Sequence, residues 1–196
     1  MKVLAIYILL VLISYRAFAF DPHVELMGDS FVSKLPQTWS VKKGDWKYFD
    51  VEDCFVNGVT CFGNNPTSPY GFPLFAGEQD GADVSYFKMN SNEAIVIFLR
   101  TPPQMKYFGF TQYLYSLDDN PKPIFASLSD TLNHLQFKVG RAPAAFDAYS
   151  VVVWTADMKT LEKVKTYLYT QGISDGRFRR QLKKIRSGLC RARPLW

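Results

Sequence analysis

The sequence predicts an α+β fold, strand-rich, with a largely antiparallel sheet or sandwich and a C-terminal strand–helix unit. Three observations predict it. Glu93–Arg100 and Tyr149–Thr155 are short runs apolar at successive positions, as expected of strands covered on both faces. Met105–Ser116 alternates, with Phe108, Phe110 and Leu114 on one side and Tyr107, Thr111, Tyr113 and Tyr115 on the other. After Asp157, a side chain suited to capping, Met158, Leu161, Val164 and Leu168 recur with helical spacing up to Gly172.

In chain order, Lys2, the apolar run from Val3 to Ile13 and the small residues of Ala17-Phe18-Ala19 have the layout of a cleavable secretory signal, with cleavage expected after Ala19. That run is shorter than the roughly 20 apolar residues a membrane-spanning helix needs, so no transmembrane segment is expected. Residues 20–50 carry Trp39, Trp46, Tyr48 and Phe49, which suggest short strands around a turn at Lys43-Gly44-Asp45. Cys54 and Cys61 lie symmetrically about Asn57-Gly58, a pair suited to a type I′ hairpin turn. That register places the two cysteines opposite one another, within reach of a disulfide. Three prolines and two glycines make residues 62–73 an extended loop, and Glu78, Asp80 and Asp83 mark an acidic turn. Ile124–Leu128 reads as a further strand.

The organisation expected is a signal at 1–19, one globular domain at 20–175 and a basic tail at 176–196, removed or disordered. The tail holds eight basic side chains and no acid, whereas all 18 acidic residues lie in the body, which is therefore net acidic. The high overall pI is no argument for nucleic-acid binding, and none is expected. Within the tail, Phe178, Leu182, Ile185 and Leu189 can share one face of a helix, and Arg177-Phe178-Arg179-Arg180 is similar to the sites cut by secretory convertases. Cys190 is left without an obvious mate and is a candidate for an inter-chain disulfide.

Chemistry is sparse. The histidines, His23 and His134, are far apart and in no zinc-binding spacing, and glycine-rich phosphate loops and dinucleotide fingerprints are missing, so no cofactor and no metal are expected. Glu78, Asp80 and Asp83 lack the EF-hand pattern and read as a solvated turn, and Ser129 and Asp130 read as capping residues. Gly28-Asp29-Ser30-Phe31 resembles the nucleophile block of the G-D-S-L type of secreted esterases and lipases, and Gly63-Asn64-Asn65 is similar to that family's oxyanion block. The resemblance implies Ser30 as nucleophile and His134 as base, oriented by Asp130. Asp130 precedes His134 by four residues in mid-chain, where the family has three near the C-terminus, and Pro66 stands where its oxyanion block has an acid.

Aromatic residues make up 16% of the chain, and Tyr107, Tyr113 and Tyr115 could stack on a sugar or another flat ligand. The first functional reading is a secreted, non-catalytic domain that binds an extracellular ligand, polymer or protein. The alternative is a small secreted hydrolase using Ser30.

Overall fold

The computed structural model describes residues 21–48, 51–58, 70–75, 87–90, 92–117, 124, 126–128, 131–137, 145–173, 178–182 and 190–193. The signal segment, Cys61, the 63–65 block, Glu78, Asp80, Asp83, Ser129 and Asp130 lie outside them.

The first described element is a helix in a segment expected to hold short strands, while Trp46 and Tyr48 do lie in a strand, β1 (Gly44–Tyr48). Asp21 is extended (φ −110°, ψ 106°) and accepts the His23 N–H at 2.9 Å, while Pro22 opens the helix where its missing N–H leaves nothing unpaired. Helix α1 follows over Pro22–Ser33. Met27, Phe31 and Leu35, spaced by four, pack into one core cluster, which gives the helix a buried stripe. The turn expected at Lys43-Gly44-Asp45 is instead the entry to β1 (Gly44–Tyr48).

The expected hairpin at 54–61 is also corrected. Val51–Val56 is a short helix, α2, so Cys54 is helical. A type I′ turn requires left-handed backbone at both Asn57 and Gly58. Only Gly58 has it, at φ 65°, and its N–H donates to the Phe55 carbonyl at 3.3 Å. One left-handed glycine ends a helix, and Glu52 suits its N-terminal turn.

β2 (Gly71–Phe75) pairs antiparallel with β1. β3 (Phe87–Met89) and β4 (Ala94–Arg100) follow. The single alternating strand expected over 105–116 is two strands, β5 (Gly109–Phe110) and β6 (Tyr113–Leu117), broken where Gln112 is buried and its backbone carbonyl accepts the Leu128 N–H. β7 is Ala126–Ser127, β8 Leu132–Asn133 and β9 Tyr149–Thr155. Helix α3 spans Met158–Thr170, capped by Asp157, whose Oδ2 accepts the Thr160 N–H at 2.8 Å. β10 (Phe178–Leu182) and β11 (Cys190–Arg193) are built from the basic tail. The fold is mixed α+β, and among the described residues its strands group in four small sheets ordered β1-β2, β10-β9-β4, β3-β11-β6-β7 and β5-β8.

The β10-β9-β4 sheet organises the core. β9 pairs antiparallel with β4, from Ala94↔Thr155 to Arg100↔Tyr149, and parallel with β10. Successive side chains on a strand point to opposite faces, so each strand feeds two cores. Val151 and Val153, with Ala94, Val96 and Phe98 of β4, face a cluster containing Phe31 of α1 and Leu161, Val164 and Leu168 of α3. Val152 and Trp154, with Ile95, Ile97 and Leu99, face a second cluster of Leu132, Phe137, Ala145, Phe108, Phe110 and Phe146. Helices thus cover one face and an aromatic layer the other, which is why both strands are apolar at consecutive positions.

The same sheet explains why residues 178–182 form a strand rather than part of a helical stripe; Ile185 and Leu189 lie outside the described residues. With β4 on one side of β9, the other backbone edge needs partners in a region whose side chains are buried, and an extended segment supplies them. Residues 178–182 do so in register Phe178↔Val151 to Leu182↔Thr155, while β11 lies between β3 and β6, antiparallel to both.

Candidate functional site

The core geometry separates the proposed nucleophile from the proposed base. Ser30 is exposed on α1 and its carbonyl accepts the Ser33 hydroxyl at 2.9 Å. The neighbouring Phe31 packs on the Val151/Val153 face of the sheet, and Asp29 is ion-paired to Lys43 at 2.5 Å. His134 packs instead against Phe108 and Phe146, which belong to the cluster on the Val152/Trp154 face. The sheet therefore lies between Ser30 and His134, and the two are not brought together. Ser30 also sits inside a regular helix, Pro22–Ser33.

His134 is joined instead to a residue chosen for a different reason, Tyr107. The two rings stand edge to face, with centroids 5.7 Å apart and planes at 88°. His134 is stacked on Phe146 at 5.8 Å and tilted against Phe108 at 6.2 Å. From Phe108 the rings continue inward to Phe137 at 5.2 Å, then to Phe110 at 5.8 Å and Trp46 at 6.0 Å. Such tilted and edge-on contacts suit the ring quadrupoles. The arrangement anchors a surface ring on a series of aromatic contacts that passes through the buried Phe137.

Local backbone explains how Tyr107 is held. β5 and β8 pair through Gly109↔Asn133 and Phe110↔Leu132, and the His134 N–H donates to the Phe108 carbonyl at 3.1 Å. A Cβ at Gly109 would come within 2.7 Å of the Tyr107 hydroxyl oxygen and 2.7 Å of Thr131 Cγ2. The missing side chain lets the phenol lie against the strand. Tyr107 still leaves 58% of its surface exposed, and Leu135, next in the chain to His134, is 76% exposed. His134 Nδ1 is buried with no hydrogen-bond partner, a cost tolerated in exchange for ring packing.

The other expected tyrosines do not join this ledge. Tyr113 is half-buried in β6, and the Tyr115 side chain lies outside the described residues. Among the described residues no group of three or more His, Cys, Asp or Glu is placed to hold a metal ion.

A second polar cluster, missed in the sequence, ties α1 to the sheet. Asp21 accepts the Tyr149 hydroxyl at 3.2 Å and lies 3.6 Å from Arg100, whose other nitrogen is 2.8 Å from Asp147. The Tyr149 ring contacts His23 at 4.4 Å and lies under the Arg100 guanidinium at 5.7 Å. Desolvation pushes the Asp21 carboxyl up, but hydrogen bonds from His23, Tyr149 and Val24 and the charge of Arg100 outweigh it and hold the pKa below the usual value. Desolvation and the bond to Asp21 push the Tyr149 phenol up. Asp147 has left-handed backbone at φ 53°, a conformation aspartate tolerates better than most residues. Its N–H donates to the Pro102 carbonyl at 2.9 Å, and the neighbouring Ala148 N–H donates to Thr101 Oγ1 at 2.9 Å. Asp21, Tyr149, Arg100 and Asp147 are paired with one another within the fold, so the cluster reads as a clasp. Arg100, ending an apolar strand, and Asp21 were its only signals in the sequence.

No protein-family model, curated protein or solved structure matches the chain. No helix among the described residues is long and apolar enough to cross a membrane.

Proposed function

We propose that the chain is a secreted, non-catalytic binding domain of the extracellular space that engages its ligand through the Tyr107–His134 ledge. The carrying observation is Tyr107 itself. It is more than half exposed, yet seated on Gly109 and edge-on to His134, so contact with a ligand orders few further rotors. An exposed aromatic ring fixed in this way is a contact surface at low entropic cost. Export rests on the Lys2–Ala19 signal pattern, and the body is proposed as a largely antiparallel fold closed by its C-terminal strand–helix unit. In the same reading Cys54 and Cys61 form a disulfide, now argued from the oxidising compartment and short spacing, and Cys190 is available to a second chain.

The binding test is a panel of immobilised extracellular proteins and polysaccharides probed with the mature chain. At least one should be retained, with Tyr107→Ala lowering retention about tenfold, a loss of roughly 1.4 kcal/mol. Retention that does not depend on Tyr107 overturns the ledge. Turnover of a generic ester that disappears in Ser30→Ala overturns the non-catalytic reading. The mass of the secreted material tests export, and a gain of two hydrogens on reduction, mapped to the 54–61 peptide, tests the disulfide.

A further inference from the structure

Beside the aromatic ledge, the turn that carries His134 is held by two carboxamides whose oxygens accept its backbone N–H groups. The Leu135 N–H donates to Asn133 Oδ1 at 3.0 Å, and the Asn133 N–H donates to Gln136 Oε1 at 3.0 Å. The turn is closed by the Gln136 N–H on the Asn133 carbonyl at 2.9 Å. Each side-chain oxygen is thus committed to a backbone donor, which fixes the orientation of both amide planes. The opposite end of each plane is an NH₂ group with two donors. Gln136 is exposed and Asn133 half-buried, and Asn133 pairs with Gly109, on which Tyr107 lies. The Gly109↔Asn133 pair therefore joins the strand under the exposed phenol ring to a turn that carries an exposed leucine and pre-oriented neutral hydrogen-bond donors.

We infer that this surface binds a neutral saccharide, with a pyranose ring against Tyr107 and Leu135 and its hydroxyl oxygens accepting from Asn133 Nδ2 and Gln136 Nε2. A pyranose has an apolar face of C–H groups and a rim of hydroxyls, so it needs a flat apolar partner and polar groups at the edge of that partner. Recognition of a carboxylate or sulfate is dominated by charged donors, which form stronger hydrogen bonds to anions than amides do. The two donors placed by this turn are uncharged amides. The inference rests on the proposal that the ledge is a binding site and adds the chemistry of its ligand.

The test uses the mature chain, residues 20–196, in depletion assays on cellulose, on chitin and on immobilised collagen as a protein polymer. Retention on cellulose or chitin is expected, with Tyr107→Ala lowering the bound fraction at least tenfold and Tyr107→Phe keeping it within twofold. Gln136→Glu keeps an oxygen for the Asn133 N–H but replaces the donor end with an acceptor. It should weaken retention at least threefold while leaving the Tm unchanged. Full retention by Gln136→Glu overturns the donor assignment. Tyr107-dependent retention on collagen with neither polysaccharide bound overturns the saccharide and leaves the ledge as a binding site. Absence of Tyr107-dependent retention on all three overturns both.

Discussion

At the scale of single residues, the carboxylate of Asp21 does two jobs, capping α1 and receiving Tyr149 and Arg100. Its pKa is held below the value of about 3.9 expected in the unfolded chain. A carboxyl with a depressed folded-state pKa contributes stability above the unfolded value and loses it as pH falls through the folded one. Asp21→Asn keeps a capping oxygen but removes that titration. The variant should melt lower than the parent near pH 6, and its Tm should fall less steeply as pH drops from about 5 to 2. Parallel Tm–pH curves would show that the clasp carries no pH-dependent stability. Asp157 also has a lowered pKa, chiefly through the hydrogen bond from the Thr160 backbone, so it remains as a shared source of acid sensitivity in both proteins.

At the scale of elements, what was legible in the sequence depended on whether the deciding partner was local. The helix after Asp157 was legible because its cap and apolar period lie within one segment. Even there the face is rotated slightly, since Thr160 is buried and Met158 is 46% exposed. Leu161→Ala should therefore cost about 2–5 kcal/mol in urea denaturation. Met158→Ala should stay within about 0.5 kcal/mol, as expected at the surface. Comparable losses at both would place Met158 in the core. The helix over Pro22–Ser33 has its local signal in the Asp21-Pro22 cap, but the aromatic residues of 20–50 favour strands, and Gly28 breaks the run of helix formers. The 54–61 segment misled for a different reason: Asn-Gly marks a reversal of the chain but does not say whether strands or a helix flank it. As for the candidate site, Tyr107 and His134 were each visible as residues. Their contact was not, because it depends on the β5–β8 pairing across more than twenty residues.

At the scale of the whole molecule, the fate of the C-terminus decides how many pieces the fold has. A charge-rich tail without acids reads as solvated, and no local pattern reveals that a distant buried strand has an open edge. β10 occupies that edge of β9, with Arg179↔Val152 and Arg180↔Val153 in register. A convertase binding Arg177–Arg180 as an extended substrate would have to peel this backbone away first. β11 has a larger role, lying between β3 and β6 and thereby linking residues 87–89 to residues 113–117. Truncation after Arg180 removes β11 entirely and the last two residues of β10. The three-residue β3 then loses its only described strand partner, and a strand that short does not persist alone in water. The truncated protein should unfold at least about 5 °C below the full mature chain, given that 1 kcal/mol shifts Tm by roughly 2–4 °C in a chain of this size. Amide exchange in residues 87–89 and 151–155 should quicken, with protection at 161–168 least affected. An unchanged Tm and unchanged exchange in β9 would mean that residues 181–196 contribute nothing to the folded body, and their removal would then leave the Tyr107–His134 ledge as it is.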